Sequence, residues 1–302
     1  MLVSFVIRAR NIARELEECF KALGHQDMPP SVDIEFILVD NESTDDSVQV
    51  ALRFGAKIEY ISRGDFTWGR ALNRGIARSQ GEYVVLISAD VEPVGRQWLS
   101  QMLDAISNSN VVATYGRQIA RADAPIDEVA RLAVTFPPAG PTVSMMPTRT
   151  PNGYLRFLSN SCALIRRSAW ENVRFDEASD GAEEQIWMEE LLRQGYTYTY
   201  AANALAYHSH RDPLTRAGYR LWELHREQLT RQGKQPSLGN IGYVAGSICR
   251  RRIRNVVAVK ASARSRVEGI INLPFEVTMF LVSGLLEAIG IDRRKVRNFM
   301  WQ

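Results

Sequence analysis

Three stretches of this chain set carboxylates where chemistry can use them. VDNESTDDS places Asp40 at the end of an apolar run, YVVLISADVEP places Asp90 just past another, and DGAEEQIWMEELLRQGY brings Glu183 and Glu184 to the start of a helical pattern. A carboxylate such as Asp40 can accept hydrogen bonds from a ribose hydroxyl or a base N–H. In the same stretch Ser43 reads as a helix cap, with Asp45 and Asp46 as acids favoured by the helix dipole. Hard divalent ions such as Mg²⁺ and Mn²⁺ take oxygen ligands, commonly one or two carboxylates plus substrate phosphates. Asp90, followed by a turn ending at Pro93, suits that task, although position alone favours an ordinary turn aspartate.

Other polar residues fall nearby in type. His208 and His210 end the run NALAYHSH, and strand alternation puts both on one face, as a metal pair or as two exposed histidines. Asp180-x-x-Glu183 has capping-box spacing, which gives Glu183 a structural task. Trp187, Met188, Leu191 and Leu192 form the buried stripe of that helix, and Glu184 is left free to act as a general base. Arg70 and Asn73, in FTWGRALNRG, begin a helix after a turn, a place that holds phosphate or merely a solvated charge.

The elements that must position these residues alternate in period. LVSFVI, IEFILVD, KIEYIS and EYVVLIS are β-branched runs of strand length. Between them lie helical segments Asn11–Leu23, Thr44–Phe54 and Trp68–Ser79, followed by a helix Gly95–Ser107 and a strand Val111–Tyr115. Such alternation predicts an α/β fold, with a mostly parallel sheet and helices on both faces. Ligands of open sheets of this kind bind at the carboxyl ends of the strands, where the polar residues above sit. No GxGxxG follows the first strand, so a dinucleotide cofactor is not expected. Six of the 12 prolines fall between Pro125 and Pro151, which predicts a long irregular loop acting as an active-site lid. SNSCALIRR reads as a strand, Glu183–Gln194 as a helix stopped by Gly195, and TYTYAANALAYHSH as a further strand. Helical segments Leu214–Gln232, Ile248–Val267 and Ile270–Ile291 follow.

Composition sets the class. With 45% hydrophobic and 24% charged residues the chain reads as a soluble globular enzyme. Its three cysteines form no CxxC pair, which argues against a disulfide framework or cysteine metal site and predicts a reducing compartment. LVSFVIRARN reads as a strand and a polar turn, not an apolar leader, so the expected location is cytoplasmic. Charge is divided unevenly. Residues 211–302 carry 17 basic against 7 acidic side chains, whereas residues 1–210 carry 20 basic against 27 acidic. That split predicts a first domain over 1–212 and a basic, mainly helical extension over 213–302 that meets an anionic surface, either lipid headgroups or nucleic acid. Arg250, Arg251, Arg252, Arg254, Lys260, Arg264 and Arg266 concentrate the charge. Ile270–Ile291 is about long enough to span a bilayer, but it contains Pro274, Glu276 and Glu287. An interfacial helix on the inner face of the membrane is therefore expected, with packing on the protein or a homodimer interface as the alternative. No recognisable nucleic-acid module or aromatic interleaving is present, so nucleic acid is not an expected partner.

The ordered set RARN, VDNESTD, GRALNRGIARSQGEYVVLISADVEP, EEQIW and AYHSH resembles the inverting glycosyltransferases of family 2, which have the GT-A fold. The look is that of bacterial members building cell-surface polysaccharides, rhamnosyltransferases among them. The resemblance implies a nucleoside-diphosphate sugar donor, a saccharide or lipid-linked saccharide acceptor, and a divalent cation. Arg8, Asn11, Asp40, Asn41, Arg70, Asn73, Ser88 and Ala89 would line the nucleotide sugar. Asp90 would be the surviving carboxylate of the family's DxD motif, with Ser88 in place of the first Asp. His208 would join it at the metal, and Glu184 would take the base position of the family's Glu-Asp pair, beside Glu183. The rival readings are a nucleotidyltransferase, which would show a glycine-rich basic loop where RARNIAREL has no glycine, and a non-catalytic sugar-nucleotide-binding or assembly protein.

Overall fold

The computed structural model describes residues 1–138, 143–145, 159–179, 181 and 183–209, together with the helix 273–288 and scattered residues between 218 and 296. Strands β1 (Leu2–Ala9), β2 (Asp33–Asp40), β3 (Lys57–Tyr60) and β4 (Tyr83–Ser88) alternate with helices α1 (Ala13–Gly24), α2 (Ser47–Arg53) and α3 (Trp68–Arg78). These four strands run parallel in the order β3-β2-β1-β4. The register pairs Ala9 with Asp40 and Arg8 with Ser88, so the carboxyl ends of β2, β1 and β4 lie side by side.

Both sheet faces are covered, which is why the strand sequences are nearly continuous apolar runs. Val3, Phe5 and Ile7 of β1 share one core with Leu16, Cys19, Phe20 and Leu23 of α1 and Val50 of α2. The opposite face carries α3. A Cβ on Gly75 would overlap the side chains of Val6 and Val39, so glycine there lets the helix lie against the strands.

Beyond β4 the direction changes. The chain continues through β5 (Glu92–Pro93), α4 (Trp98–Ala105), β6 (Val111–Ile119), α5 (Ile126–Thr135), β7 (Val143–Met145), β8 (Cys162–Arg166), α6 (Arg167–Asn172), α7 (Glu183–Arg193) and β9 (Thr197–Tyr207). β8 is antiparallel to both β4 and β6; β6 and β9 are parallel, and β5 and β7 pair antiparallel with β9. The sheet is thus parallel in its first half and mixed in its second. A register shift between Gly116 and Arg117 sets the last residues of β6 against Leu205–Tyr207 of β9.

The proline-rich segment is not one long loop. Pro125 precedes α5, with Glu128 and Val129 donating backbone N–H groups to its carbonyl, and Val143–Met145 form a strand. Proline is tolerated at a helix start because no intrahelical donor is lost there. Residues 139–142 and 146–158 of the expected lid lie outside the described residues.

The chain forms two compact units, residues 1–119 with 136–208, and residues 120–135 with 209–302. In the second, α8 (Leu273–Ala288) buries Leu273 and Phe280, and Phe280 packs with Tyr219, Trp222, Ile241, Ala245 and Val296. Glu287 faces Arg226 at 3.8 Å, and burial pushes its carboxyl above the usual range. The apolar stripe of α8 is therefore core. No helix among the described residues is long and apolar enough to cross a membrane. Of the basic residues of the arginine-rich segment only Arg250 is described, and Arg251, Arg252, Arg254, Lys260, Arg264 and Arg266 lie outside the described residues.

Candidate functional site

At the end of β1, Arg8 extends its guanidinium into the protein rather than to solvent. It lies 3.6 Å from Glu183 Oε1, with side chains 10% and 4% exposed respectively, and it stacks 4.9 Å from the ring centroid of Trp68 at the start of α3. Burial pulls its pKa below the ordinary arginine range, against the opposing pull of Glu183, Glu184 and Asp90. One cation thus sits among three of the acids singled out by the sequence, on β1, α7 and the β4 turn.

Glu183 and Glu184 differ as expected in burial but not in reason. Glu183 is buried at the first turn of α7, where it accepts a hydrogen bond of 3.0 Å from Asn160 Nδ2 and faces Arg8. Its carboxylate is spent on the site; the capping partner Asp180 lies outside the described residues. Glu184 is half-buried beside it.

Asp90 and His208 come together. The turn after β4 is closed by Val91 N–H donating to Ser88 O at 3.0 Å, and Asp90 Oδ1 lies 3.7 Å from His208 Nε2. His208 is buried, not exposed, and its Nδ1 lies 2.6 Å from Gln118 Oε1. Gln118 Nε2 in turn donates to Ser159 Oγ at 2.8 Å. His210 lies outside the described residues. Among the described residues no three His, Cys, Asp or Glu side chains converge on a point. Asp90 and His208 would offer a cation one oxygen and one nitrogen. That set fits Mg²⁺ or Mn²⁺ when substrate phosphates complete the shell.

Asp40 is buried at the end of β2, where its Oδ2 accepts from Ser43 N–H at 3.1 Å. Ser43 does not cap α2: its Oγ accepts from the backbone N–H of Asn11, while Asp45 accepts from Ala13 N–H and Ser47 N–H and so serves two helix starts. Asn11, at φ 49°, accepts from Thr44 N–H and ties the β1 and β2 loops together. Ser88 ends β4, and the buried Ala89 lies between it and Asp90. Buried atoms without a hydrogen bond concentrate here: Arg8 Nη1, Asp40 Oδ1, Asn41 Oδ1, Asn160 Oδ1 and Glu183 Oε2. Each such group costs roughly 1–3 kcal/mol in a folded protein, and a polar ligand at the strand ends would offset it.

Arg70 and Asn73 are placed differently. Arg70 Nε donates to Glu177 Oε2 at 3.0 Å and Nη1 donates to Asp65 O at 2.7 Å. Asn73 donates to Phe175 O and Glu177 Oε1 and accepts from Trp170 Nε1 and the Phe175 N–H. It fastens α3 to the segment before α7, and so acts on the site through position. Gln118, Ser159 and Asn160 were not singled out by the sequence. Neutral amides and hydroxyls near strand ends carry no spacing signal, and the polar break after Tyr115 ended the expected strand before Gln118.

The chain is similar to named glycosyltransferases. O-antigen chain rhamnosyltransferase WbaN of Salmonella anatum is 30% identical over 197 residues, covering 64% of this chain and 61% of that protein. O-antigen chain rhamnosyltransferase RfbN of Salmonella typhimurium is 24% identical over 215 residues, covering 70% and 67%. The chain therefore spans about three fifths to two thirds of the length of these relatives. Among solved structures, the mannosyltransferase PcManGT of Pyrobaculum calidifontis, in complex with GDP-Man and Mn²⁺, superposes with a TM-score of 0.61 at 16% identity, covering 94% of this chain and 87% of that one. Glucosyl-3-phosphoglycerate synthase of Mycobacterium tuberculosis, with Mn²⁺, UDP-glucose and phosphoglyceric acid, gives 0.52 at 18% identity, covering 78% and 81%. These two share its fold, the GT-A glycosyltransferase fold. Residues 4–174 match Glycosyl transferase family 2, more than half of the chain, and the chain belongs to that family.

Proposed function

We propose that this protein is an inverting glycosyltransferase that moves a sugar from a nucleoside-diphosphate donor to a saccharide hydroxyl in bacterial surface-polysaccharide synthesis. The observation that carries the reading is the convergence at the strand ends: Arg8, Asp90, Glu183 and Glu184 within mutual electrostatic reach, with the buried acceptor atoms of Asp40 and Asn41 at the same edge. Relatives named as O-antigen chain rhamnosyltransferases support a deoxyhexose donor and a growing saccharide acceptor. The catalytic domain is assigned to 1–212 and the basic extension to 213–302.

In this reading Asp40 and Asn41 accept hydrogen bonds from the nucleoside, and Arg8 faces the diphosphate with Ser88 and Ala89 beneath it. Asp90 and His208 would hold Mg²⁺ or Mn²⁺, which when bound neutralises charge on the leaving diphosphate. Glu184 takes the proton of the acceptor hydroxyl as its oxygen bonds to the anomeric carbon. The bond from that carbon to the diphosphate oxygen breaks, and its electron pair leaves with the nucleoside diphosphate. A single displacement inverts the anomeric centre. Glu183 holds Arg8 in place.

The test is release of UDP, dTDP or GDP from a panel of labelled nucleotide sugars, with Mn²⁺ and then with EDTA. Turnover of one donor that stops in EDTA is expected. Turnover of none, by folded protein supplied with saccharide acceptors, would remove the enzyme reading.

A further inference from the structure

We propose that the adjacent residues Ser159 and Asn160 are the positioning element of this site, Ser159 holding its metal side through Gln118 and Asn160 holding its acid side through Glu183. The proposal rests on the donor-site reading above and adds three residues, Gln118, Ser159 and Asn160, to which neither the sequence motifs nor the family resemblance gives a task.

All three side chains are polar, yet Gln118 is 2%, Ser159 9% and Asn160 4% exposed. Their partners explain the burial. Ser159 Oγ takes the Gln118 Nε2–H at 2.8 Å, which leaves Gln118 Oε1 to face His208 Nδ1 at 2.6 Å. An amide oxygen only accepts, so Nδ1 carries the hydrogen, and Nε2, 3.7 Å from Asp90, is the ring nitrogen that a cation would meet. A histidine fixed in this way is oriented to bind a cation. One residue on, Asn160 Nδ2 donates at 3.0 Å to Glu183 Oε1, the same oxygen that faces Arg8.

The backbone beneath the pair is anchored on both sides. Cys162 N–H donates to Ser159 O at 3.1 Å, closing a turn onto the first residue of β8. Ser88 N–H donates to Ser161 O at 3.2 Å, tying that turn to the end of β4, two residues before Asp90. A support fixed to two central strands holds side chains more closely than a free loop does. The two halves of the site, which come from β1, β4, β9 and α7, thus share one short turn as their common reference.

A merely structural polar network would lower stability, metal binding and turnover together when cut; a positioning element with two arms separates them. The measurement is Mn²⁺ affinity, from loss of the free Mn²⁺ paramagnetic resonance signal, for full-length protein saturated with whichever of UDP, dTDP or GDP it binds. Gln118→Leu is expected to weaken Mn²⁺ binding about 10–100-fold, and Ser159→Ala by a smaller factor. Gln118→Glu, which keeps an acceptor facing Nδ1, should restore most of it. Asn160→Ala should leave Mn²⁺ affinity within about twofold while lowering kcat roughly tenfold or more, because Glu183 and the Arg8 it holds lose their reference beside the base. The proposal is overturned if folded Gln118→Leu binds Mn²⁺ as the parent does, or if every variant loses binding and turnover in step with its melting temperature. His208→Ala separates this failure from that of the underlying reading: parent-like Mn²⁺ affinity in that variant removes the metal assignment itself.

Discussion

Arg8 is the residue on which the charges of the site balance. A guanidinium buried beside Glu183 is stable only while paired, and removing one partner of a buried pair costs about 3–5 kcal/mol because the other charge stays behind. Arg8→Met should therefore lower unfolding free energy by about that amount in urea titration, and Arg8→Met with Glu183→Gln should recover part of it. An additive double variant would mean that the two do not interact. Glu184→Gln should instead leave stability and nucleotide affinity unchanged and reduce kcat by ~10²–10⁴; a dispensable Glu184 with an essential Glu183 would exchange their roles. The sequence singled out Asp90, Glu184 and His208 because each falls at the end of a strand or the start of a helix, where the ligand edge of such a sheet lies. For Glu183 the sequence offered a cap or a catalytic task but not its partners, since the Asn160 and Arg8 that face its Oε1 lie 23 and 175 positions away in the chain.

Among the elements, α3 is fastened by Asn73, whose donors and acceptors all go to Trp170, Phe175 and Glu177. Asn73→Ala would leave a buried indole N–H and a backbone N–H without acceptors. The expected loss is roughly 2–4 kcal/mol of stability, read as a lowered melting temperature, with Kd for nucleotide disturbed only as α3 shifts. Parent-like stability would show the contact to be idle. Hydrogen bonds from Asn73 and Arg70 also hold the Glu177 carboxyl below the usual range. Its contribution is thus full above the unfolded carboxylate pKa and is lost as pH falls through the lower folded value, and Glu177→Gln should flatten acid unfolding there. The parallel half of the sheet was readable because short helices join β1 to β4. The reversal at β8 was not. Strand direction leaves no mark in an apolar run such as CALIR, and proline content concealed α5.

At the scale of the molecule, the basic extension combines a packed helix with an excess of basic side chains. α8 turns Leu273 and Phe280 inward and leaves Leu281 and Leu285 37% and 44% exposed. Its core stripe is occupied by protein, so association with a membrane would rest on the arginines and a few exposed apolar side chains. Anionic attraction of that kind is screened by salt. Co-sedimentation with vesicles should rise with anionic lipid, fall with added salt and vanish on truncation after Gln232. Full-length protein that ignores anionic vesicles at low salt would make the extension purely structural. The sequence made the charge asymmetry plain, but not that α8 is a core helix, because the apolar stretch reads alike whether lipid or Trp222 covers it.

The central claim is that the strand ends form one donor site in which Asp90 and His208 recruit a divalent cation to a nucleoside diphosphate. Calorimetric titration of the full-length protein with UDP, dTDP and GDP tests it most directly, in Mn²⁺ and in EDTA, for the parent and for Asp90→Ala. The account predicts one nucleotide binding at one site per chain, tightly with Mn²⁺, at least tenfold more weakly in EDTA, and no Mn²⁺ enhancement in Asp90→Ala. Binding of that nucleotide to the parent with equal affinity in Mn²⁺ and EDTA, or a full Mn²⁺ enhancement surviving in Asp90→Ala, would contradict it.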